Sequence, residues 1–398
     1  MPANLASATV KGFRFSGVSA GLKTVAGAKD LGLIVADRPS SAAAVFTTNK
    51  VKAAPVCVSS ERIRSGRLQA VVANSGCANA FTGKAGLRLA RESCAEVAKL
   101  IGCAPALVAP CSTGVIGHLF DFAKFQAGAA EAARTLSDGG LDDFARAIMT
   151  TDTRPKVVST ALKLGGATVT IAGAAKGVGM IAPHMATMLA FIVTDAAIAP
   201  APLRTALKAA LPATFNAITV DGDMSTNDTV IAMASGAAEN RALGARDLQS
   251  FNRAIAEVAG ALARELVRDG EGATKLVTVE VRGARSAADA ERCARQIANS
   301  PLVKTAFFGC DPNVGRILMA AGSSGASVDP ERLALWIGPI QVAARGALLT
   351  GALGEAKEAM RQPEFTVRLD LRLGKSSATI LTCDLSYDYV RINAEYTT

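Results

Sequence analysis

Hydrophobic periodicity along this chain switches repeatedly between a two-residue and a 3.6-residue repeat, and that alternation decides the fold class before any single residue does. KLVTVEV (275–281) and EFTVRLDLRL (364–373) alternate strictly, so each should be a strand with one face toward a core and the other toward water or a second layer. SSAAAVFTT (40–48) and QAVVAN (69–74) are further β-type runs. Between Lys84 and Ile101, Leu87, Ala90, Cys94, Val97, Ala98 and Ile101 recur at three- and four-residue spacing, the mark of an amphipathic helix. A second such stripe, Leu248, Phe251, Ile255, Val258, Leu262 and Leu266, predicts a helix over about Asp247–Val267. Strands mixed with long helices, with no low-complexity linker and no 20 to 50 residue repeat, favour an α+β layered sandwich over a single doubly wound parallel sheet.

Composition narrows the function. The 398 residues suffice for two or three domains' worth of core. Lys plus Arg is 43 against 34 Asp plus Glu, a formal charge of +9, but the basic residues form no run or stripe. With only 5% aromatic residues to stack on bases, this reads as a solvated basic surface and no nucleic-acid partner is expected. There are two histidines, His118 and His184, which excludes a His-rich metal site and leaves few candidates for a His-dependent triad. Eight cysteines without a C-x-x-C pair read as reduced, mostly buried thiols of a cytoplasmic protein. The uncharged stretch Gly177–Thr194 has 18 residues interrupted by Pro183 and His184; it is expected in the core, and no membrane partner is expected. The N-terminus has no signal-peptide core. It lacks acids up to Asp30, as transit peptides do, yet is neither Arg-rich nor amphipathic, so a cytoplasmic location is expected.

Three loops invite ligand readings that their context does not support. KGVGMIAP (176–183) lacks the third glycine of a dinucleotide fingerprint, and DGEGATK (269–275) follows a helix and lacks the P-loop spacing. DGDMSTND (221–228) begins like a calcium loop, but Thr226 replaces its glycine and Ala232 its bidentate glutamate; a turn packed beside a site is the expected role. The informative segment is AKGVGMIAPHMATMLAFIVTDA (175–196). Thr187 there has two readings. One is a satisfied core hydroxyl at the start of a buried strand. In the other, cleavage after Ala186 would give Thr187 both a hydroxyl nucleophile and an α-amine whose pKa of about 8 suits a base near neutral pH. Such an amine would do what histidine does in a triad, in a chain nearly devoid of histidine.

Eight blocks carry a resemblance over essentially the whole length: KGFRFSGVSAGLK (11–23), NSGCANAFTG (74–83), CSTGVIG (111–117), IMTTDTRPK (148–156), KGVGMIAPHMATMLAF (176–191), TVDGDMSTNDT (219–229), LVKTAFFGCDPNVGRI (302–317) and the terminal YVRINAEYTT. In this order they resemble the glutamate N-acetyltransferase (ornithine acetyltransferase) family of arginine biosynthesis. The resemblance implies a self-processing N-terminal-nucleophile enzyme with an αββα-type sandwich, cut between Ala186 and Thr187 into an α chain (1–186) and a β chain (187–398), assembled as α2β2. It implies ping-pong acetyl transfer from N-acetylornithine to glutamate, without metal or resident cofactor. Some members of the family also accept acetyl-CoA as a co-substrate, and nothing in these residues decides that point.

Carried over by position, the resemblance makes Thr187 the acetyl-accepting nucleophile, and Thr113 and Gly114 the oxyanion hole. It places Thr150, Lys176, Glu271, Asn393 and Thr398, with Thr187, in substrate binding. Thr151 and Thr153 stand beside Thr150 as alternatives. The set suits the chemistry, because an amino acid brings a carboxylate and ornithine an ammonium, and Lys176 and Glu271 supply one fixed charge of each sign. Three positions depart from the family pattern. His184 and Cys77 stand where asparagine is usual, and Val314 where tryptophan is; His184 either packs passively or tunes the amine. The rival enzyme reading is a self-processed aminopeptidase or amidohydrolase that gives the acyl group to water. A non-enzyme rival is an inert scaffold that remains uncut.

Overall fold

The computed structural model describes residues 8–182 and 188–395, which form two compact units, one from residues up to 216 with 223–266 and the other from 217–222 with 267 onward. In the first unit, eight strands share one sheet: β1 (Phe13–Val18), β2 (Leu31–Phe46), β3 (Arg67–Cys77), β4 (Val108–Val115), β5 (Lys156–Leu164), β6 (Ala167–Lys176), β7 (Leu189–Thr194) and β8 (Thr229–Ala234). Their order is β4-β3-β2-β8-β7-β6-β5, with β1 added beside β2. β3 runs parallel to β4 and β7 to β8, while the other neighbours are antiparallel. This mixed sheet meets the α+β expectation and not the doubly wound one.

Six helices belong mainly to this unit: α1 (Ala54–Arg62), α2 (Gly83–Ile101), α3 (Phe122–Arg134), α4 (Leu141–Ala147), α5 (Pro200–Ala210) and α6 (Ala245–Arg268). α2 and α6 are the two helices predicted from periodicity. α2 buries Leu89, Ala90, Cys94, Val97 and Ala98, and stops at Gly102, whose φ of +70° turns the chain left-handed. The alternation of β2 separates two cores. Leu31, Leu33 and Val35 pack with α2 and α3, while Ile34 and Ala36 face α4. Phe144 of α4 meets Phe191 of β7 edge to face at 5.1 Å, which pins the strand that follows residue 187.

The second unit is built on a six-stranded sheet, ordered β12-β11-β10-β13-β9-β14. Its strands are β9 (Leu276–Ala284), β10 (Ala334–Ile337), β11 (Ile340–Ala344), β12 (Ala347–Leu348), β13 (Glu364–Asp370) and β14 (Ser376–Cys383). Its helices are α7 (Ala287–Asn299), α8 (Pro301–Phe308), α9 (Val314–Gly322), α10 (Leu353–Met360) and α11 (Tyr387–Glu395). α7 lays Ala290, Cys293, Ala294, Ile297 and Ala298 on the inward faces of the central strands, including Val277, Val279 and Val281 of β9. Each unit therefore packs helices on its own sheet, as the expected α+β layering requires. The strand expected over 364–373 ends at Asp370, because its carboxylate accepts the N–H of Arg372, which turns left-handed at φ +53°.

The boundary between the units does not coincide with the expected cut after residue 186. β6 and β7, one on each side of that cut, are hydrogen-bonded neighbours from Ile171↔Thr194 to Lys176↔Leu189. Residues before and after the cut thus build one sheet.

Candidate active site

β4 carries the CSTGV segment, and parallel pairing with β3 sets Gly76 opposite Gly114. Gly114 has φ +127°, and a Cβ there would lie 2.4 Å from the carbonyl carbon of Gly76 and 2.6 Å from the amide nitrogen of Cys77. Only glycine fits so close to another backbone. The register of the pair shifts at Cys77, so the two chains touch at an irregularity of the kind that re-aims backbone groups beside active sites.

Lys176, the last residue of β6, is 3% exposed. Its ammonium donates to the Thr150 hydroxyl at 2.8 Å and to the Thr113 hydroxyl at 3.2 Å. Three of the expected residues thus meet directly, Thr150 among them. Asp152 organises their surroundings. One carboxylate oxygen accepts Lys156 Nζ at 2.7 Å and Gly177 N–H at 2.9 Å, while the other accepts Thr150 N–H at 3.0 Å. Burial pushes this carboxyl up, but the ammoniums of Lys176 and Lys156 and the N–H of Gly177 more than offset that and hold it at about 2. Asp152 is therefore a fixed anion beside Lys176 that also holds the Thr150 backbone in place.

Polar side chains stitch the backbone behind Thr113. Ser112 Oγ donates to Asn74 Oδ1 at 2.5 Å, and Asn74 Nδ2 donates to Cys77 O at 2.9 Å. Asn227 from the 221–228 turn donates to Ala78 O and Ser112 O at 2.7 and 2.8 Å. Cys77 is buried, and its thiol donates to the carbonyl of His118 at 3.1 Å, so the departure from asparagine keeps a donor at that position. Val314 begins α9 within the second unit's core.

In the second unit, Glu271 and Asn393 are brought together. The Asn393 amide donates to Glu271 Oε2 at 2.8 Å and to Tyr389 O at 3.0 Å. The loop bearing Glu271 is clamped by Asp384, which accepts the Thr274 hydroxyl at 2.6 Å and the N–H groups of Thr274 and Lys275 at 2.8 and 2.9 Å. Gly272 (φ +66°) follows Glu271 where a Cβ would lie 2.5 Å from Tyr389 N. Ala186, Thr187, His184 and Thr398 lie outside the described residues. Among the described residues, no group of three His, Cys, Asp or Glu converges as a metal site would need, and no helix is long and apolar enough to cross a membrane.

Sequence reasoning did not single out Asp152, Lys156 or Asp228. The first two lie inside the IMTTDTRPK block, where their four-residue spacing was a signal that went unused. The 221–228 turn was expected beside a site, and it does pack there through Asn227 and Asp228.

Comparison with known proteins settles the lineage. A model of the ArgJ family matches residues 14–398. The chain belongs to the ArgJ family. The arginine biosynthesis bifunctional protein ArgJ of Geobacter sulfurreducens is 52% identical over 393 residues, covering 98% of this chain and 100% of the relative. Its counterpart from Symbiobacterium thermophilum is 48% identical over 390 residues, covering 97% of each. The crystal structure of the arginine biosynthesis bifunctional protein from Bacillus halodurans is 44% identical, with a TM-score of 0.50, and covers 52% of this chain and 98% of its own. This ArgJ chain is accordingly an enzyme of arginine biosynthesis, as the eight sequence blocks implied.

Proposed function

We propose that this ArgJ enzyme moves an acetyl group from N-acetylornithine to glutamate through an acetyl ester on Thr187, after cutting itself between Ala186 and Thr187. The observation that carries the reading is the buried Lys176 ammonium, hydrogen-bonded to Thr113 and Thr150 beside the close approach of Gly114 to Gly76. A hydroxyl and a backbone N–H in a dry, cationic setting are the donors a tetrahedral oxyanion needs, and losing one such donor typically costs ~3 kcal/mol.

The cut begins when the Thr187 hydroxyl attacks the Ala186 carbonyl and the peptide nitrogen leaves with a proton. Water then opens the ester, leaving the α chain with a carboxylate and Thr187 with a free α-amine. In turnover, that amine takes the hydroxyl proton as Thr187 attacks the acetyl carbonyl of N-acetylornithine. The oxyanion is held by Thr113 and Gly114, and ornithine leaves with the proton. The neutral amine of glutamate then attacks the acetyl ester and regenerates the hydroxyl. Lys176 and Thr150 hold the carboxylate end of each amino acid, Glu271 meets ornithine's side-chain ammonium with Asn393 orienting it, and Thr398 completes the substrate contacts.

The solved Bacillus halodurans chain spans about half of this one, a length that supports a stable fragment near the size of residues 187–398. The word bifunctional in the relatives' name supports a second donor, which we assign to acetyl-CoA, with no resident cofactor or metal. An α2β2 assembly in the cytoplasm completes the reading. The decisive experiment has two parts. N-terminal sequencing of the smaller species on a denaturing gel should return threonine at 187, and acetylglutamate should form mole for mole with the N-acetylornithine consumed. A Thr187→Ala chain should remain uncut and inactive. Acetate released regardless of added glutamate would instead establish the hydrolase.

A further inference from the structure

The first unit's sheet has a second concave surface at the end away from Lys176. Ser41 of β2 pairs with Arg67 at the start of β3 and with Ala234 at the end of β8, so these three side chains share one face. Their neighbours Ala42, Leu68 and Met233 point the other way, into the core that holds Phe144 of α4. On the Ser41 face, a cavity of about 650 Å³ is lined by Ser41, Arg67 and Ala234, by Arg38, and by Pro200 and Pro202 at the start of α5. Such a volume accommodates a small organic molecule. β7 and β8 run in parallel from the Lys176 end, where Leu189 pairs with Thr229, to Thr194 and Ala234 at the cavity end. Five strand steps at ~3.3 Å separate the two ends by about 17 Å, so this cavity is not part of the site described above.

We infer that this cavity binds a small organic anion, a carboxylate or phosphate group carried on a compact apolar body. Its charge is positive and uncompensated. The Arg38 guanidinium makes no hydrogen bond or ion pair among the described residues, and Arg67 spends only Nη1, on Pro39 O at 3.2 Å. No Asp or Glu is among the lining residues, and Asp37, next to Arg38 in the chain, lies 3.6 Å from Arg14 instead. α5 begins at the cavity with no side-chain cap and no acid in its first turn, which adds the positive end of a helix dipole. Ser41 is a second, independent sign of a ligand. It is only 7% exposed, yet its hydroxyl makes no hydrogen bond among the described residues and lines the cavity. A side chain so buried ordinarily has its polar atom satisfied, and a bound anion would accept from it. Guanidinium groups with free donors suit the planar or tetrahedral oxygens of carboxylate and phosphate. The remaining wall, with Ile198, Leu243 and Leu248, is apolar, and it calls for an apolar body beside the charged group.

The test titrates the full chain with three probes followed by fluorine NMR at about 0.15 M salt, where loose surface attraction is screened. The probes are para-fluorobenzoate, para-fluorophenyl phosphate and the neutral para-fluorobenzyl alcohol. At least one anion should bind about tenfold or more tightly than the alcohol, and the tighter of the two identifies carboxylate or phosphate as the preferred group. Arg38→Gln and Arg67→Gln should each weaken that anion about tenfold, because each removes a charge-assisted donor. Both arginines are exposed, so these variants should keep wild-type circular dichroism. Ser41→Ala should weaken binding about threefold. Arg204→Gln removes an exposed charge of α5 that does not line the cavity, and it should change the affinity less than about twofold. Binding is read without turnover, so the result stands apart from the acetyl-transfer reading. Three results overturn the inference. One is that neither anion binds more tightly than the alcohol. Another is that Arg38→Gln and Arg67→Gln both leave the affinity within about twofold of wild type. The third is that Arg204→Gln weakens binding as much as they do, which would mean adsorption to a basic surface with no defined site.

Discussion

Replacing Gly114 with alanine tests the site at its tightest point. A methyl group there would sit 2.4 Å from the Gly76 carbonyl carbon, where ordinary contact begins near 3.4 Å, and the obstructing atoms are backbone. β3 and β4 must therefore separate locally by about 1 Å, and a displacement of that size at a reacting centre costs on the order of 10²-fold in rate. If the Gly114 N–H is an oxyanion donor, its loss alone accounts for 10² to 10³ in kcat, or about 3 kcal/mol. The left-handed φ of +127° adds about 1–3 kcal/mol of strain to the folded state. Gly117 provides the control. It has φ +89°, but a Cβ there meets nothing within 4 Å, so Gly117→Ala bears conformational strain without moving β3. Thermal melts should show a drop of a few degrees for Gly117→Ala and a larger one for Gly114→Ala. Steady-state acetyl transfer should fall at least 10²-fold in kcat only for Gly114→Ala. A Gly114→Ala enzyme that keeps kcat within about threefold of the Gly117→Ala control would refute the reasoning.

Two further substitutions probe the electrostatics. Asp152 is held at about 2, below the usual carboxylate value near 3.9, so its contribution of roughly 2 kcal/mol should be present above about pH 4 and lost as pH falls toward 2. Asp152→Asn should lose about 3–5 kcal/mol near neutral pH, because it removes one partner of the buried Lys156–Asp152 ion pair, and should flatten the acid decline between about pH 4 and 2; urea titrations across that range check both. Asn393 is exposed, yet its amide donates to Glu271 Oε2 at 2.8 Å, so Asn393→Ala should raise KM for N-acetylornithine about tenfold while shifting Tm by no more than a degree or two. An unchanged KM would remove Asn393 from the substrate contacts.

What could be read from sequence follows from how many faces an element buries. α2 and α6 bury one stripe, and β13 buries alternate residues, so their periods were visible and their limits nearly right. β7 and β8 are buried at every position; LAFIVT was legible as a buried strand after Thr187, but TVIAMA shows no period to identify it. α11 has no buried residue, and only the family pattern pointed to the Asn393 it carries. The site was harder still, since its contacts are long-range. Lys176 meets Thr113 across 63 positions, and Asn393 meets Glu271 across 122. Asp152 and Lys156 stand four apart, a spacing typical of exposed helical ion pairs, yet both are fully buried at the entry to β5. Burial turns that ordinary spacing into a fixed ion pair beside Lys176, and burial is what one sequence shows least.

Were the chain cut between Ala186 and Thr187, as proposed, the sheet would keep both flanks of the cut in register. β6 ends at Lys176, which pairs with Leu189 at the start of β7, so the ends flanking the expected cut are already held by ladder hydrogen bonds. β7 is held on its other side by β8, and Phe191 is wedged against Phe144. Cutting after Ala186 would remove one covalent link from a connection whose two ends the sheet keeps in register. The new terminus would begin two residues from Leu189, tethered through Met188 to Asp228 and Thr229. If Thr187 is the nucleophile proposed above, cleavage would give it a free α-amine while Lys176, Thr150 and Thr113 stay hydrogen-bonded to one another beside an intact sheet.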